Sequence, residues 1–249
     1  MNTSLFDIKG KSALVTGATG ALGYSMAKAL AHAGVKVTLA GGNDKRLSEI
    51  ADELARSDTS VSTVAKRPDS ETACDDMVAA AVKANGGLDI LIVASGAAVV
   101  KPALDMDLET WNGVIDANVR QTWMICKSAA RIMIEQGRGG KIVLVSSVRG
   151  RFATAAGTSA YAPSKAATDM LTRSFAVEWG KHDINVNAIA PTVFRSELTA
   201  WLFEDEAAEK RDALLERIPL GRLAEADDHQ GIMLFLASRA SDFVTGQII

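Results

Sequence analysis

Short runs of apolar residues alternate with longer amphipathic stretches along most of this chain. The runs are rich in valine, isoleucine and leucine, and turn residues bound several of them, which is typical of buried strands. Strands are predicted at residues 11–16, 35–40, 61–65, 88–94, 141–147 and 184–190, and residues 247–249 begin one more. The run at 88–94, LDILIVA, is strongly apolar, as a central strand of a parallel sheet should be.

The stretches between these runs place apolar residues three and four positions apart, which is the period of an amphipathic helix. Helices are predicted at residues 21–33, 44–56, 70–84, 108–136, 160–181, 196–217 and 225–238, with a break near Gly113. Repeated β–α units imply a parallel sheet covered by helices on both faces, and right-handed crossovers make it doubly wound. We therefore predict an α/β protein in which residues 1–249 form a single doubly wound Rossmann-type domain with a sheet of about seven strands.

A doubly wound fold binds its ligands beyond the carboxyl ends of the strands, where the strand order reverses. The residues that follow Thr16, Ala40, Ala94, Ser146 and Ala190 should therefore face one crevice. Any ligand-binding or catalytic chemistry is expected at this edge of the sheet.

Composition excludes several other classes of function. The 249 residues are 48% hydrophobic and 23% charged, with a net charge of −3, so a nucleic-acid partner is not expected. Two cysteines and three histidines predict neither a disulfide framework nor a metal site. No apolar run reaches the ~18 residues of a membrane span, and the N-terminus has no signal-peptide core. We expect a cytoplasmic protein without a membrane partner.

A glycine-rich loop follows the first predicted strand. The sequence VTGATGALG places Gly17, Gly20 and Gly23 between that strand and a helix. Glycines here let the backbone approach a phosphate, and the amides of the helix N-terminus then meet the anion. A plain strand–helix turn would show the same glycines, but the strand before them and the helix after them favour dinucleotide binding.

The end of the second strand bears on the choice of dinucleotide. It reads AGGN (residues 40–43) and lacks the carboxylate that normally binds the ribose of NAD. The two glycines leave room for a 2′-phosphate, and Lys45, Arg46 and Arg67 supply positive charge nearby. The alternative is that Lys45 and Arg46 are solvated residues of the first helix turn, and that Asn43 binds a ribose hydroxyl of NAD. We predict a preference for NADP over NAD.

A serine, a tyrosine and a lysine form the candidate catalytic group. Tyr161 and Lys165 lie four residues apart on one helix face, and Ser147 ends a strand at the crevice. An ammonium about 4 Å from a phenol contributes on the order of 4 kcal/mol, enough to bring a tyrosine pKa from about 10 to near 7. The phenol then exchanges a proton with an alcohol or ketone whose oxygen Ser147 holds. The alternative is an ordinary amphipathic helix with a solvated lysine.

The chain resembles the short-chain dehydrogenases/reductases from Leu5 to Ile249, especially their gluconate 5-dehydrogenase-like and 3-oxoacyl reductase-like members. The resemblance is carried by TGATGALG, by Asn118 in DANVR, by Ser147 in VSSVRG, by YAPSK and by Pro191 in NAIAPTVFRSE. It implies a catalytic tetrad of Asn118, Ser147, Tyr161 and Lys165. In this family the asparagine is linked through water to the lysine in a proton relay, and the lysine also bonds the nicotinamide ribose.

The same resemblance implies a set of cofactor-binding residues, with residues 192–196 bordering the nicotinamide. These residues are Gly17, Thr19, Gly20, Leu22, Gly23, Gly42, Asn43, Ala94, Gly96, Tyr161, Lys165, Pro191 and Val193.

Departures from the family pattern concern the cofactor site. Ala21 occupies the second glycine position of the loop, so that the loop also resembles the extended branch with its sugar-nucleotide epimerases. Val-Ala-Ser-Gly at 93–96 replaces the usual NNAG, and Thr192 replaces the glycine of the usual PG. Arg67 stands where the family has an aspartate that meets adenine. The tetrad itself is intact.

Three arginines and a lid bear on the substrate. Arg149, Arg151 and Arg195 flank the proposed site, and they imply an anionic substrate unless they make surface or subunit contacts. Residues 195–217 resemble a substrate lid in which Trp201, Leu202 and Phe203 cover the substrate or simply pack. The family usually continues past GQII with a strand and VDGG, so we expect the last strand to be cut short.

These observations predict an oxidoreductase that transfers a hydride between NAD(P) and a small polar hydroxy or oxo substrate, with a sugar acid as one candidate. The alternatives are a non-catalytic dinucleotide-binding regulator and a sugar-nucleotide epimerase, whose usual C-terminal substrate domain has no room in this length. A homotetramer is also predicted, because the helices at 108–136 and 160–181 are apolar beyond one stripe and family members pair through them. The residues concerned are Ala129, Ala166, Ala167, Met170 and Phe175.

Overall fold

A parallel sheet of six strands forms the centre of the computed structural model, which describes residues 3–57 and 59–249. The strands are β1 Ser12–Thr16, β2 Lys36–Ala40, β3 Val61–Val64, β4 Ile90–Val93, β5 Gly140–Val145 and β6 Ile184–Ile189. Their spatial order is β3-β2-β1-β4-β5-β6, so the order reverses between β1 and β4. This reversal confirms the predicted doubly wound α/β fold and places the switch point beside the glycine loop.

Helices cover both faces of the sheet. They are α1 Ala21–His32, α2 Asp44–Leu54, α3 Glu71–Asn85, α4 Leu108–Ile115, α5 Gln121–Gln136, α6 Tyr161–Trp179, α7 Ala208–Leu215 and α8 Gln230–Ala237. One face buries Ile50 of α2 and Met233 of α8 with the apolar face of α1, and the other buries Met77 of α3 and Ile125 of α5. Among these described helices, none is both long and apolar enough to cross a membrane.

The predicted count of about seven strands is wrong, because the described sheet has six. Residues 247–249 do lie beside β6: the Ala188 amide donates to the Gln247 carbonyl at 2.8 Å, and the Ile249 amide donates to the Ala188 carbonyl at 3.0 Å. They form one isolated bridge, between Ala188 and Ile248. A single bridge is too short a pairing to make a further strand.

The long helix predicted at 108–136 is interrupted, but not at Gly113. A π turn, Asp116–Arg120, separates α4 from α5. Gly113 lies inside α4, where a side chain would find open space, so nothing there breaks the helix. A π turn inserts one extra residue into a helix and is frequent at functional sites. This one carries Asn118, which is almost fully buried.

Candidate active site

Two adjoining cavities follow the carboxyl ends of the strands. The glycine cavity, about 310 Å³, is lined by Gly17, Gly42 and Arg67 among others, and the tyrosine cavity, about 220 Å³, by Tyr161 and Lys165 among others. Both are lined by Gly20 and by residues 94–97, so they form one continuous groove. A larger cavity of about 930 Å³ lies at the amino ends of the strands and includes none of these residues.

The glycine loop forms a cradle at the start of α1. Gly17 has φ +66°, and a Cβ there would stand 2.6 Å from the Ser95 amide nitrogen. A Cβ on Gly23 would overlap the Gly17 carbonyl oxygen. Because both positions exclude a side chain, the loop turns tightly and α1 begins directly behind it, with its first amides unpaired within the helix. This geometry fits the pyrophosphate of a dinucleotide.

Ser147 and Tyr161 come together where β5 ends and α6 begins. The Ser147 hydroxyl lies within reach of the Tyr161 phenol, and it accepts a hydrogen bond from the Arg149 amide at 3.2 Å. Burial raises the pKa of Tyr161 above its ordinary value, while the Ser147 hydroxyl and the Arg149 charge oppose that rise.

Lys165 lies one turn further along α6 and is only 6% exposed. Its Nζ donates to the Val145 carbonyl at 2.8 Å and stands 5.8 Å from the centroid of the Tyr161 ring. Burial lowers the pKa of Lys165 to about 8, and the charge of Asp169 opposes that shift. That Lys165 brings the Tyr161 pKa towards neutrality stays a prediction: in the structure the ammonium donates to the Val145 carbonyl, and burial has the largest effect on the pKa of the phenol.

Asn118 fastens the segment after β4 to α6. Its Oδ1 accepts from the Ala97 amide at 2.8 Å, and its Nδ2 donates to the Ala97 carbonyl and to Ser164 Oγ, each at 2.8 Å. A Cβ on Gly96 would stand 2.7 Å from Asn118 Oδ1 and 3.7 Å from Lys165 Nζ, so only a glycine passes between them. The structure therefore brings Asn118 beside Lys165. Its part in a proton relay stays a prediction.

Most predicted cofactor-binding residues line the groove. Those that do are Gly17, Thr19, Gly20, Leu22, Gly23, Gly42, Ala94, Gly96, Tyr161, Lys165 and Pro191. Two predicted residues line neither cavity. Asn43 caps α2, its side chain accepting from the Arg46 amide at 3.0 Å, and the Val193 carbonyl accepts from the Ala224 amide at 3.1 Å.

The three flanking arginines have separate environments. Arg149 is half-buried, and its charge acts on Tyr161. Arg151 instead donates to the Ile248 carbonyl at 3.2 Å. Arg195 pairs with Glu225 at 3.2 Å and stacks on a phenylalanine of the lid. Of the three, Arg149 is the one whose charge acts on Tyr161, although its side chain lines a neighbouring cavity of about 580 Å³ and not the tyrosine cavity.

The predicted lid residues mostly pack within their own segment. The segment contains a 3₁₀ helix, Glu197–Phe203, in which Leu202 is buried and Phe203 lies 3.6 Å under the Arg195 guanidinium. The side chain of that helix that lines the tyrosine cavity is Leu198, which is 69% exposed. Sequence reasoning missed Leu198, since an exposed leucine in an irregular segment has no distinguishing pattern.

Asp169 and Ser146 are two further residues that sequence reasoning missed. Asp169 is 3% exposed and accepts a hydrogen bond from Ser146 Oγ at 2.5 Å, while the same hydroxyl also approaches the Lys165 carbonyl at 3.3 Å. Its charge favours the protonated form of Lys165. The sequence did contain a signal for Asp169: it lies four residues after Lys165, and residues four apart share one face of a helix.

Comparison with known proteins finds relatives that are named as oxidoreductases, reductases or dehydrogenases. A family model described as enoyl-(acyl carrier protein) reductase matches residues 17–249. An uncharacterized oxidoreductase of Mycobacterium tuberculosis is 50% identical over 246 residues, covering 98% of this chain and 90% of that protein. The gluconate 5-dehydrogenase of Gluconobacter oxydans is 36% identical over 245 residues, which are 98% of this chain and 94% of that protein. A solved gluconate 5-dehydrogenase from Burkholderia cenocepacia, in complex with NADP and tartrate, has a TM-score of 0.94 at 28% identity. The match covers 100% of this chain and 96% of that protein.

The match extends from the glycine loop through the YAPSK helix to the last residue. It covers all but the first twelve residues of the resemblance predicted from Leu5 to Ile249, and the fold agrees with it over the whole chain. The chain therefore belongs to the short-chain dehydrogenase/reductase family of oxidoreductases.

Proposed function

We propose that this protein is an NAD(P)-dependent dehydrogenase that interconverts a hydroxyl and a ketone on a sugar acid. The observation that carries the proposal is the meeting of Tyr161, Ser147 and Lys165 in a cavity continuous with the glycine cradle. The sugar-acid substrate is supported by the gluconate dehydrogenases among the relatives and by the positive charge of Arg149, which acts on Tyr161.

Each residue of the group has a separate task in this proposal. Bound NAD(P) supplies the hydride acceptor or donor. Tyr161 takes the proton from the substrate hydroxyl or returns it to the ketone, while the Ser147 hydroxyl holds the same oxygen. Lys165 bonds the nicotinamide ribose from the floor of the tyrosine cavity, and Asn118 keeps the neighbouring backbone in place. Residues 195–217 close over the substrate through Leu198.

A panel of substrates tests the substrate class. We expect kcat/KM for a sugar acid to exceed that for the matched polyol, in which a hydroxymethyl group replaces the carboxylate, by roughly 10- to 100-fold. That range corresponds to one hydrogen bond between a carboxylate and a cation such as Arg149. Arg149→Gln should lower the ratio of kcat/KM for the sugar acid to kcat/KM for the polyol. A preference for 3-oxoacyl thioesters over every sugar acid would contradict the proposed substrate.

We propose NADP as the preferred cofactor and the cytoplasm as the location. The end of β2 offers Gly41 and Gly42 in place of the carboxylate that would repel a 2′-phosphate. The Burkholderia cenocepacia relative was solved with NADP, which agrees with this preference. Two buried free thiols, Cys74 and Cys126, are compatible with a reducing compartment.

A homotetramer is proposed from the outer faces of α5 and α6. Ala129 and Phe175, which sequence reasoning expected to be exposed, are buried in the core. Met170, which was also predicted, is 56% exposed, and two further apolar side chains are exposed on these helices, Trp123 at 40% and Val177 at 84%. An apolar surface of this kind on a helix is typical of a partner contact.

We therefore expect light scattering at micromolar concentration to give four times the 26.3 kDa mass of one chain. The double variant Met170→Lys/Val177→Lys should give a smaller species with unchanged helical circular dichroism, because it introduces charges into the contact. A monomer for the unmodified protein would refute the tetramer.

A further inference from the structure

We propose that Arg67, on the loop after β3, recognises the 2′-phosphate of NADP. Its guanidinium lies in the space that is left open because Gly42 has no side chain. This inference rests on the proposed use of NAD(P) and names the residue that sets the preference between the two dinucleotides.

The ends of two neighbouring strands bring these residues together. β2 and β3 are parallel neighbours with Ala40 opposite Val64, and the Gly41 amide donates to the Val64 carbonyl at 3.3 Å. Gly42 and Arg67 therefore leave the same edge of the sheet side by side. A Cβ on Gly42 would overlap Arg67 Nε and stand 3.2 Å from both Cζ and Nη2. The guanidinium thus occupies the place that a side chain at position 42 would take.

The other nearby cations are engaged or directed elsewhere. Lys66 pairs with Asp76 at 2.5 Å, and Arg46 pairs with Glu49 at 3.1 Å. Arg67 is exposed, lines the glycine cavity and has no ion pair with any residue in the ranges 3–57 and 59–249. Lys45, on the first turn of α2, does not line that cavity. Arg67 is therefore the cation best placed to meet an anion at the end of β2.

The chemistry of the guanidinium suits a phosphate monoester. Its planar fork donates two parallel hydrogen bonds to phosphate oxygens. The loop that carries it is held by the Lys66 amide, which donates to the Val64 carbonyl at 2.8 Å, and by the buried Pro68. A guanidinium also stacks on aromatic rings, so an alternative contact with adenine has to be separated from the contact with the 2′-phosphate.

Calorimetric titration with two adenosine ligands separates these contacts. Adenosine 2′,5′-bisphosphate carries the 2′-phosphate, and 5′-AMP lacks it. We expect Arg67→Gln to weaken binding of the bisphosphate by about 10- to 100-fold and to change binding of 5′-AMP by less than about twofold. The matched variant Lys45→Gln should leave both affinities within about twofold, and thermal unfolding should show that both variants are folded.

A relocated arginine provides a second test. Because a side chain at position 42 points into the place of the guanidinium, the double variant Gly42→Arg/Arg67→Ala should recover much of the bisphosphate affinity that Arg67→Ala loses. Equal losses for both ligands in Arg67→Gln would show adenine stacking and overturn the proposal, as would unchanged bisphosphate affinity. Those results leave the dinucleotide site intact, whereas an unmodified protein that binds neither ligand overturns the site itself.

Discussion

Replacing Tyr161 by phenylalanine is expected to lower kcat by about 10²- to 10⁴-fold, the range that a positioned acid or base contributes. The substitution keeps the ring that packs at the start of α6 and removes only the hydroxyl that lies within reach of Ser147. Since the substrate oxygen then has no partner with which to exchange its proton, the chemical step slows while dinucleotide binding stays within about threefold. The unfolding free energy should change by no more than the value of one hydrogen bond, about 1 kcal/mol.

The chain contains a natural control for this experiment. Its other tyrosine, Tyr24, lies on α1 and bonds Glu53, and it lines neither cavity of the groove. Tyr24→Phe removes an identical hydroxyl and should keep parental kcat. Turnover should be measured for both variants at saturating substrate, alongside thermal unfolding. Near-parental activity of Tyr161→Phe would remove Tyr161 from the chemistry.

Replacing Lys165 by methionine should reduce two quantities at once. We expect kcat to fall by at least about 10²-fold and the dissociation constant for the dinucleotide to rise by about 10- to 100-fold, the range for one lost charge-assisted hydrogen bond. Methionine fills a similar volume but leaves the Val145 carbonyl without the donor that it has at 2.8 Å. The unfolding free energy should therefore fall by about 1–3 kcal/mol.

Rate and affinity have to be measured separately for Lys165→Met, by steady-state kinetics and by calorimetry. The exposed Lys83, at the end of α3, provides the matched control, and Lys83→Met should change neither quantity. A lower rate with unchanged dinucleotide affinity would show that Lys165 does not bond the ribose. Parental values for both quantities would exclude it from the site.

The order of strands and helices could be predicted because it depends on local patterns. Strands buried on both faces appear as apolar runs, which located the inner strands, whereas the edge strand β3, with the sequence VSTV, was located by its β-branched residues. The π turn was missed because one inserted residue leaves the helical pattern of 108–136 almost unchanged. Gly113 was the only visible weak point, yet a glycine inside a helix costs only about 1 kcal/mol.

The contacts within the site also divide into those that a local pattern predicts and those that depend on how the elements pack. Tyr161 and Lys165 share a helix face by their spacing, so their proximity followed from helix geometry alone. The direction of the Lys165 ammonium towards Val145 depends on where β5 ends relative to α6, which no local pattern encodes. Equally, three cations were candidates for a 2′-phosphate, and only the register of β2 against β3 brings Arg67 over Gly42.

Transfer of deuterium from a sugar acid labelled at its reacting carbinol carbon tests the proposed function most directly. The released reduced dinucleotide and the sugar product are analysed by mass spectrometry after a single incubation with NADP. We predict one deuterium in the dinucleotide for each molecule of ketone formed, and none of this transfer in Tyr161→Phe. Deuterium that returns to the sugar without net reduction of the dinucleotide would indicate an epimerase, and bound dinucleotide without any product would indicate a regulator. Either of those two results would contradict a sugar-acid dehydrogenase.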